Sequence, residues 1–110
     1  MVKLVNRAKM KVASGGAGTL TLGTACDGYQ SFADAGVTDQ DKLRYTITDG
    51  DDWEIGVGTY TASGTTLARA PTESSNSGNA ITCGSGAEIF VTMAAEDFTC
   101  LLYTSPSPRD

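Results

Sequence analysis

The sequence predicts an all-β fold: a single small sandwich or partly closed barrel of about seven short, mainly antiparallel strands. Three observations carry that expectation. Apolar and polar residues alternate with period two in several stretches, as on strands that face a core on one side and water on the other. Gly, Asp, Ser and Asn break those stretches at short intervals, which is turn chemistry. Residues that favour long helices do not dominate, whereas Thr, Val, Ile and Tyr recur between the turns. A chain of 110 residues fits one domain with one thin core.

The elements follow in order. Over residues 2–12 the even positions Val2, Leu4, Asn6, Ala8, Met10 and Val12 are mostly apolar. The odd positions Lys3, Val5, Arg7, Lys9 and Lys11 are mostly basic, so the stretch reads as one half-buried strand, or two with a bend. Gly15–Gly18 reads as a turn, and Thr19–Leu22 as the returning hairpin partner. Gly28–Gly36 reads as a short helical turn whose aromatics, Tyr29 and Phe32, plug an edge of the fold. Lys42–Thr48 is the clearest strand, with Leu43, Tyr45 and Ile47 on one face.

Asp49-Gly50 then marks a tight hairpin turn, because such turns need residues tolerant of positive φ. The return strand is Trp53–Thr61. Trp53, Ile55 and Val57 share a face that reads as core, while Gly56 and Gly58 on the other face suggest a close backbone approach or a bulge. Thr65–Arg69 is a further strand that Pro71 ends or confines to an edge. Residues 74–79 form a polar loop, and Ala80–Cys83 and Glu88–Met93 are the closing strands.

Charge and composition exclude several functions. The net charge of −5 opposes a nucleic-acid footprint, which is a basic face. No apolar run reaches the ~20 residues of a membrane helix. The N-terminus lacks a signal-peptide core, so a protein made in a cytoplasm is expected. The chain has no histidine, which rules out Ser-His-Asp and Cys-His chemistry within it. No metal and no cofactor is expected, since three isolated cysteines lack zinc-site spacing. Cys26 and Cys83 are compatible with a disulfide, but two buried free thiols suit a cytoplasmically assembled protein better.

None of the candidate sites carries a complete constellation. Gly15–Gly18 lacks the Gly-Lys-Ser/Thr of a phosphate-binding loop. Asp49, Asp51, Asp52 and Glu54 are the one acidic cluster, yet alternation sends their carboxylates to different faces. Trp53 with Tyr45 and Tyr60 is a candidate sugar-stacking platform, although the alternation favours a core role for Trp53. Glu54 and Arg69 read as surface charges, so any pairing there is expected to be weak. The basic face of residues 3–11 is the best candidate docking surface, a solvated strand being the simpler account.

A longer pattern gathers many of these residues: Tyr45, Asp49, Gly50, Trp53, Glu54, Ile55, Gly56, Gly58, Tyr60 and Arg69. Its centre is the Trp-Glu-Ile-Gly-x-Gly-x-Tyr strand after the Asp-Gly turn, an order that β-propensity alone does not demand. It resembles a small β module of tailed-phage virion structural proteins, found in tail fibres and related components and in marine viral sequence. With residues 2–8, 27–32 and 89–92 the likeness spans nearly all of residues 2–97. Cys26, Cys83 and Pro71 depart from the pattern. The resemblance implies a non-catalytic role in virion architecture, with no catalytic or cofactor-binding residue. Other virion proteins are the implied partners, met through sheet edges and loops. A homo-oligomer and a host-surface glycan are further expectations, the latter making the domain a carbohydrate-binding module.

The module is expected to occupy residues 1–99. The remaining Cys100–Asp110 resembles, residue for residue, translated DNA of a transposase-type sequencing adapter. It is set aside as an artefact expected to be unstructured, with the native protein expected to continue past Thr99.

Overall fold

A computed structural model describes residues 2–14, 16–84 and 86–92. Cys100–Asp110 lies outside the described residues, as does Met93, the expected end of the closing strand. The elements are β1 (Lys9–Ser14), β2 (Leu20–Ala25), α1 (Phe32–Ala35), β3 (Lys42–Asp49), β4 (Asp52–Thr61), β5 (Thr66–Ser74) and β6 (Glu88–Val91). The six strands close in the order β1-β2-β5-β4-β3-β6, and β6 pairs back to β1. Every strand pairing is antiparallel. The all-β expectation is met in its barrel form, and closure removes the sheet edges through which assembly was expected.

Alternation places the core where several sequence faces predict it. Ala8, Met10 and Val12 are buried, as are Leu43, Tyr45 and Ile47. They meet Leu20, Leu22, Leu67 and Ile89 in one interior. The basic N-terminal stretch is not a single strand. Arg7 takes φ 56°, a left-handed conformation that costs a non-glycine residue about 1–2 kcal/mol, and the chain bends there before β1. Before β1, Lys3 forms an isolated parallel bridge to Leu43, and the Ala8 carbonyl accepts from the Val91 N–H of β6 at 3.2 Å.

The two barrel ends are closed differently. At the Tyr60 end sits α1, whose first turn is capped by the Ser31 hydroxyl accepting from the Asp34 N–H. Its Phe32 is fully buried, 6.1 Å from the Tyr60 ring centroid, so this half of the aromatic plug is as expected. Tyr29 instead lies exposed on the outside. At the Asp49 end the segment after β5 turns back and buries Ile81 and Cys83. The strand expected at Ala80–Cys83 is only a bridge from Cys83 to Gly16.

Two strands differ from their expected course. β5 runs past Pro71 to Ser74, with a register shift between Gly56↔Pro71 and Ile55↔Glu73. Pro71 does not end the strand; it lies where β5 has left β2, so its missing N–H breaks no ladder there. On β4 the inward face is Glu54, Gly56, Gly58 and Tyr60, whereas Trp53 is exposed and Ile55 and Val57 are half-buried. The expected core face is thus the outer face. The two-residue Gly50–Asp51 turn pairs Asp49 with Asp52, which sets Ile47 opposite Glu54 and Tyr45 opposite Gly56. Directly opposed residues point to the same side, so the buried face of β3 dictates which face of β4 turns inward.

Candidate functional site

The chemistry-bearing residues of the motif converge inside the barrel, at the Asp49 end. β4 presents Glu54 inward, with no exposed surface. From β5 comes Arg69, whose side chain is equally enclosed, and its Nη1 lies 3.0 Å from Glu54 Oε1. From β3, the Tyr45 hydroxyl donates to Glu54 Oε2. The backbone N–H of Ile81 donates to Glu54 Oε1 at 2.9 Å. Arg69 also donates to the carbonyls of Gly16 (2.8 Å), Gly18 (2.9 Å) and Ile81 (3.1 Å). This is the opposite of the surface charges expected at these two positions. A buried ion pair persists only when its remaining donors and acceptors are satisfied, which these contacts do.

Glycine makes room for this cluster. Tyr45 lies opposite Gly56, and a Cβ at Gly56 would come within 2.7 Å of the Tyr45 hydroxyl oxygen and of Pro71 Cα. Position 56 therefore admits no side chain while Tyr45 reaches Glu54. Gly58 faces Leu67 in the same way, at 2.8 Å from Cγ. The close approach expected at both glycines is present.

The local electrostatics favour inert groups. Burial raises the Tyr45 phenol well above its ordinary value, and the Glu54 carboxylate adds to that, so the phenol stays a hydrogen-bond donor. Cys83 lies 3.6 Å from Arg69 Nη1, yet burial raises its thiol despite the guanidinium. Burial likewise raises the Cys26 thiol, and both cysteines are free. A protonated, enclosed thiol is a poor nucleophile. The cluster joins β3, β4, β5, the β1–β2 connection and the residue-81 segment; solvent does not reach its centre.

The remaining motif residues scatter. Asp49 Oδ2 accepts the Gly84 N–H at 2.8 Å, and Gly50 supplies the turn at φ 64°. Asp52 Oδ1 accepts from the Ser75 hydroxyl. The acidic carboxylates therefore diverge, and among the described residues no group of three His, Cys, Asp or Glu is placed to hold a metal. Tyr45 and Tyr60 are buried whereas Trp53 is 39% exposed, so the three aromatics form no common platform. Trp53 and Ile55 instead share the outer face with Val57.

The sequence reading missed the backbone carbonyls that hold Arg69. The Gly16, Gly18 and Ile81 carbonyls leave no side-chain signature, so only the fold discloses them. A second site forms outside, where the Arg7 guanidinium carbon lies 4.2 Å from the Tyr29 ring centroid and Lys9 lies 5.7 Å from that of Phe90. Arg7 and Lys9 belong to the basic face of residues 3–11 that the sequence marks as its best docking candidate. No helix among the described residues is long and apolar enough to cross a membrane. No protein-family model matches the chain, and neither a curated protein nor a solved structure matches it.

Proposed function

We propose that the chain is a non-catalytic structural module of a tailed-phage virion, part of a tail fibre or another tail- or head-associated protein, and that it assembles with other virion chains. The supporting observation is the use made of the motif. Tyr45, Glu54, Gly56, Gly58, Tyr60 and Arg69, which carry much of the resemblance, are built into the barrel interior and present nothing to a substrate. In this reading the protein is made in the host cytoplasm and ends in the particle, with no cofactor, nucleic acid or membrane as partner. The closed barrel leaves loops and outer sheet faces as assembly surfaces. Mass spectrometry of purified particles of the parent phage tests this; absence of the chain from the particles overturns it.

The second reading is a carbohydrate-binding module for host-surface attachment. The exposure of Trp53 favours it, because an outward indole offers a stacking face that a core residue lacks. A glycan array probed with the wild-type chain and Trp53→Ala tests it. Binding that the substitution abolishes supports the reading, and a blank array for the wild type removes it.

A further inference from the structure

We propose that the pocket between Arg7 and Phe90 binds a carboxylated pyranose, the hexuronate or sialate type of unit found in acidic surface polysaccharides. The ligand class rests on the glycan reading, but the site is separate from Trp53. Trp53 pairs with Thr48, Thr48 with Glu88 and Glu88 with Lys11, so three strand spacings, roughly 14 Å, separate Trp53 from β1.

The pocket is an open surface depression of about 250 Å³, lined by Arg7, Ala8, Lys9, Tyr29, Phe90, Val91 and Thr92. Arg7 is its charged centre. The guanidinium lies over the Tyr29 ring, and its Nη2 donates to the Gly28 carbonyl at 2.6 Å. This posture is held although the Arg7 backbone sits in the left-handed region. Lys9 is neutralised by Glu88 at 3.2 Å, whereas no ion pair joins Arg7 to a carboxylate among the described residues. Among the described residues, one guanidinium without a carboxylate partner therefore lines this pocket, in a chain whose net charge is −5.

The walls select among anions. Guanidinium is the side chain best shaped for a carboxylate, which it binds through paired N–H donors. The Phe90 ring adds an apolar wall, while Ala8 and Val91 form the floor with their side chains turned to the core. A pyranose uses that wall through its C–H face and offers hydroxyls to Lys9 and Thr92, while its carboxylate meets Arg7. A phosphate or an acidic side chain leaves the apolar wall unused. The volume lies below the ~300–1,000 Å³ of drug-sized ligand sites, so one ring is the fitting unit.

The test is an amide-detected NMR titration of the full chain with tri-galacturonate and, as a neutral control, its methyl ester. Shifts at Arg7, Gly28, Tyr29 and Phe90 are expected, with the acid bound about tenfold or more tighter than the ester and more weakly as salt rises. Arg7→Gly removes the charge and relieves the left-handed backbone, so its thermal midpoint should equal or exceed that of wild type while acid binding falls about tenfold. Equal binding of acid and ester, or undiminished binding by Arg7→Gly, overturns the proposal. An oligoglutamate giving the same shifts at the same affinity overturns the saccharide class. Shifts confined to the Trp53 indole and lost in Trp53→Ala overturn this site while leaving the glycan reading intact.

Discussion

At the scale of single residues, Glu54 decides how the interior must be built. It accepts from Tyr45, Ile81 and Arg69 and has no exposed surface. Removing it leaves Arg69 buried without its counter-charge, a loss of about 3–5 kcal/mol, whereas an exposed pair would lose under about 1 kcal/mol. Urea denaturation of Glu54→Ala should show the larger loss, a sizeable share of the ~5–15 kcal/mol of a small domain. A change under about 1 kcal/mol would return the pair to the surface role that the sequence suggested. Tyr45 adds a pH signature. Its folded-state pKa is raised, chiefly by burial and then by Glu54, so its contribution is complete below the unfolded tyrosine value of about 10 and is lost as the pH rises above it. Between pH 10 and 11.5 the wild type should lose about 1.1 kcal/mol per pH unit more than Tyr45→Phe does, the slope steepening toward the top of that range. Lys9 and the two buried thiols also have raised values, but they are common to both proteins and cancel in the comparison. Parallel stability curves would show that Tyr45 does not hold its proton against Glu54.

At the scale of elements, the β3–β4 hairpin explains what the sequence disclosed and what it hid. Alternation found both strands and the Asp49-Gly50 turn, and it placed Leu43, Tyr45 and Ile47 correctly. It chose the wrong face of β4 because Trp53, Ile55 and Val57 are more apolar than Glu54, Gly56 and Gly58. Hydrophobicity alone prefers that face inward. The register fixed by a two-residue turn prefers the other, and register wins because all eight residues of β3 pair along β4. The information was in the sequence, in the turn length joined to the face of β3. The carbonyl partners of Arg69 and the bend at Arg7 were not, since neither depends on a local pattern. The inward glycines give the hairpin its own test. A Cβ at Gly56 meets the Ala70 carbonyl, Pro71 Cα and the Tyr45 hydroxyl, two of them backbone atoms that cannot turn aside. At Gly58 the two nearest atoms belong to the flexible Leu67 side chain. Gly56→Ala should therefore cost about 3 kcal/mol or more, and Gly58→Ala about 1–2 kcal/mol, by denaturant midpoint. The reverse order would mean that β4 does not pass Pro71 as closely as described.

At the scale of the whole molecule, closure of the barrel depends on its thinnest seam. β3 and β4 are laddered from Lys42↔Thr59 to Asp49↔Asp52, whereas β2 and β5 meet only at Leu20↔Leu67 and Thr21↔Thr66. Beyond that contact β5 diverges from β2, and a backbone ladder no longer links them. Arg69 spans the gap: it projects from β5 and holds Gly16 and Gly18 of the β1–β2 connection while gripping Ile81 of the closing segment. Glu54 fixes the guanidinium from the β4 side. The Tyr45, Glu54 and Arg69 motif is, in physical terms, the device that turns a curled sheet into a closed barrel. Closure matters because an open seam exposes unpaired strand groups to neighbouring chains. Arg69→Met keeps much of the side chain's apolar bulk but removes every donor. Native-state amide exchange should then quicken first at Leu20, Thr21, Leu67, Ile81 and Cys83, while the β3–β4 ladder keeps its relative protection. Uniform loss of protection around all six strands would show instead that the barrel opens only as one unit, with Arg69 contributing to global stability and not to the seam.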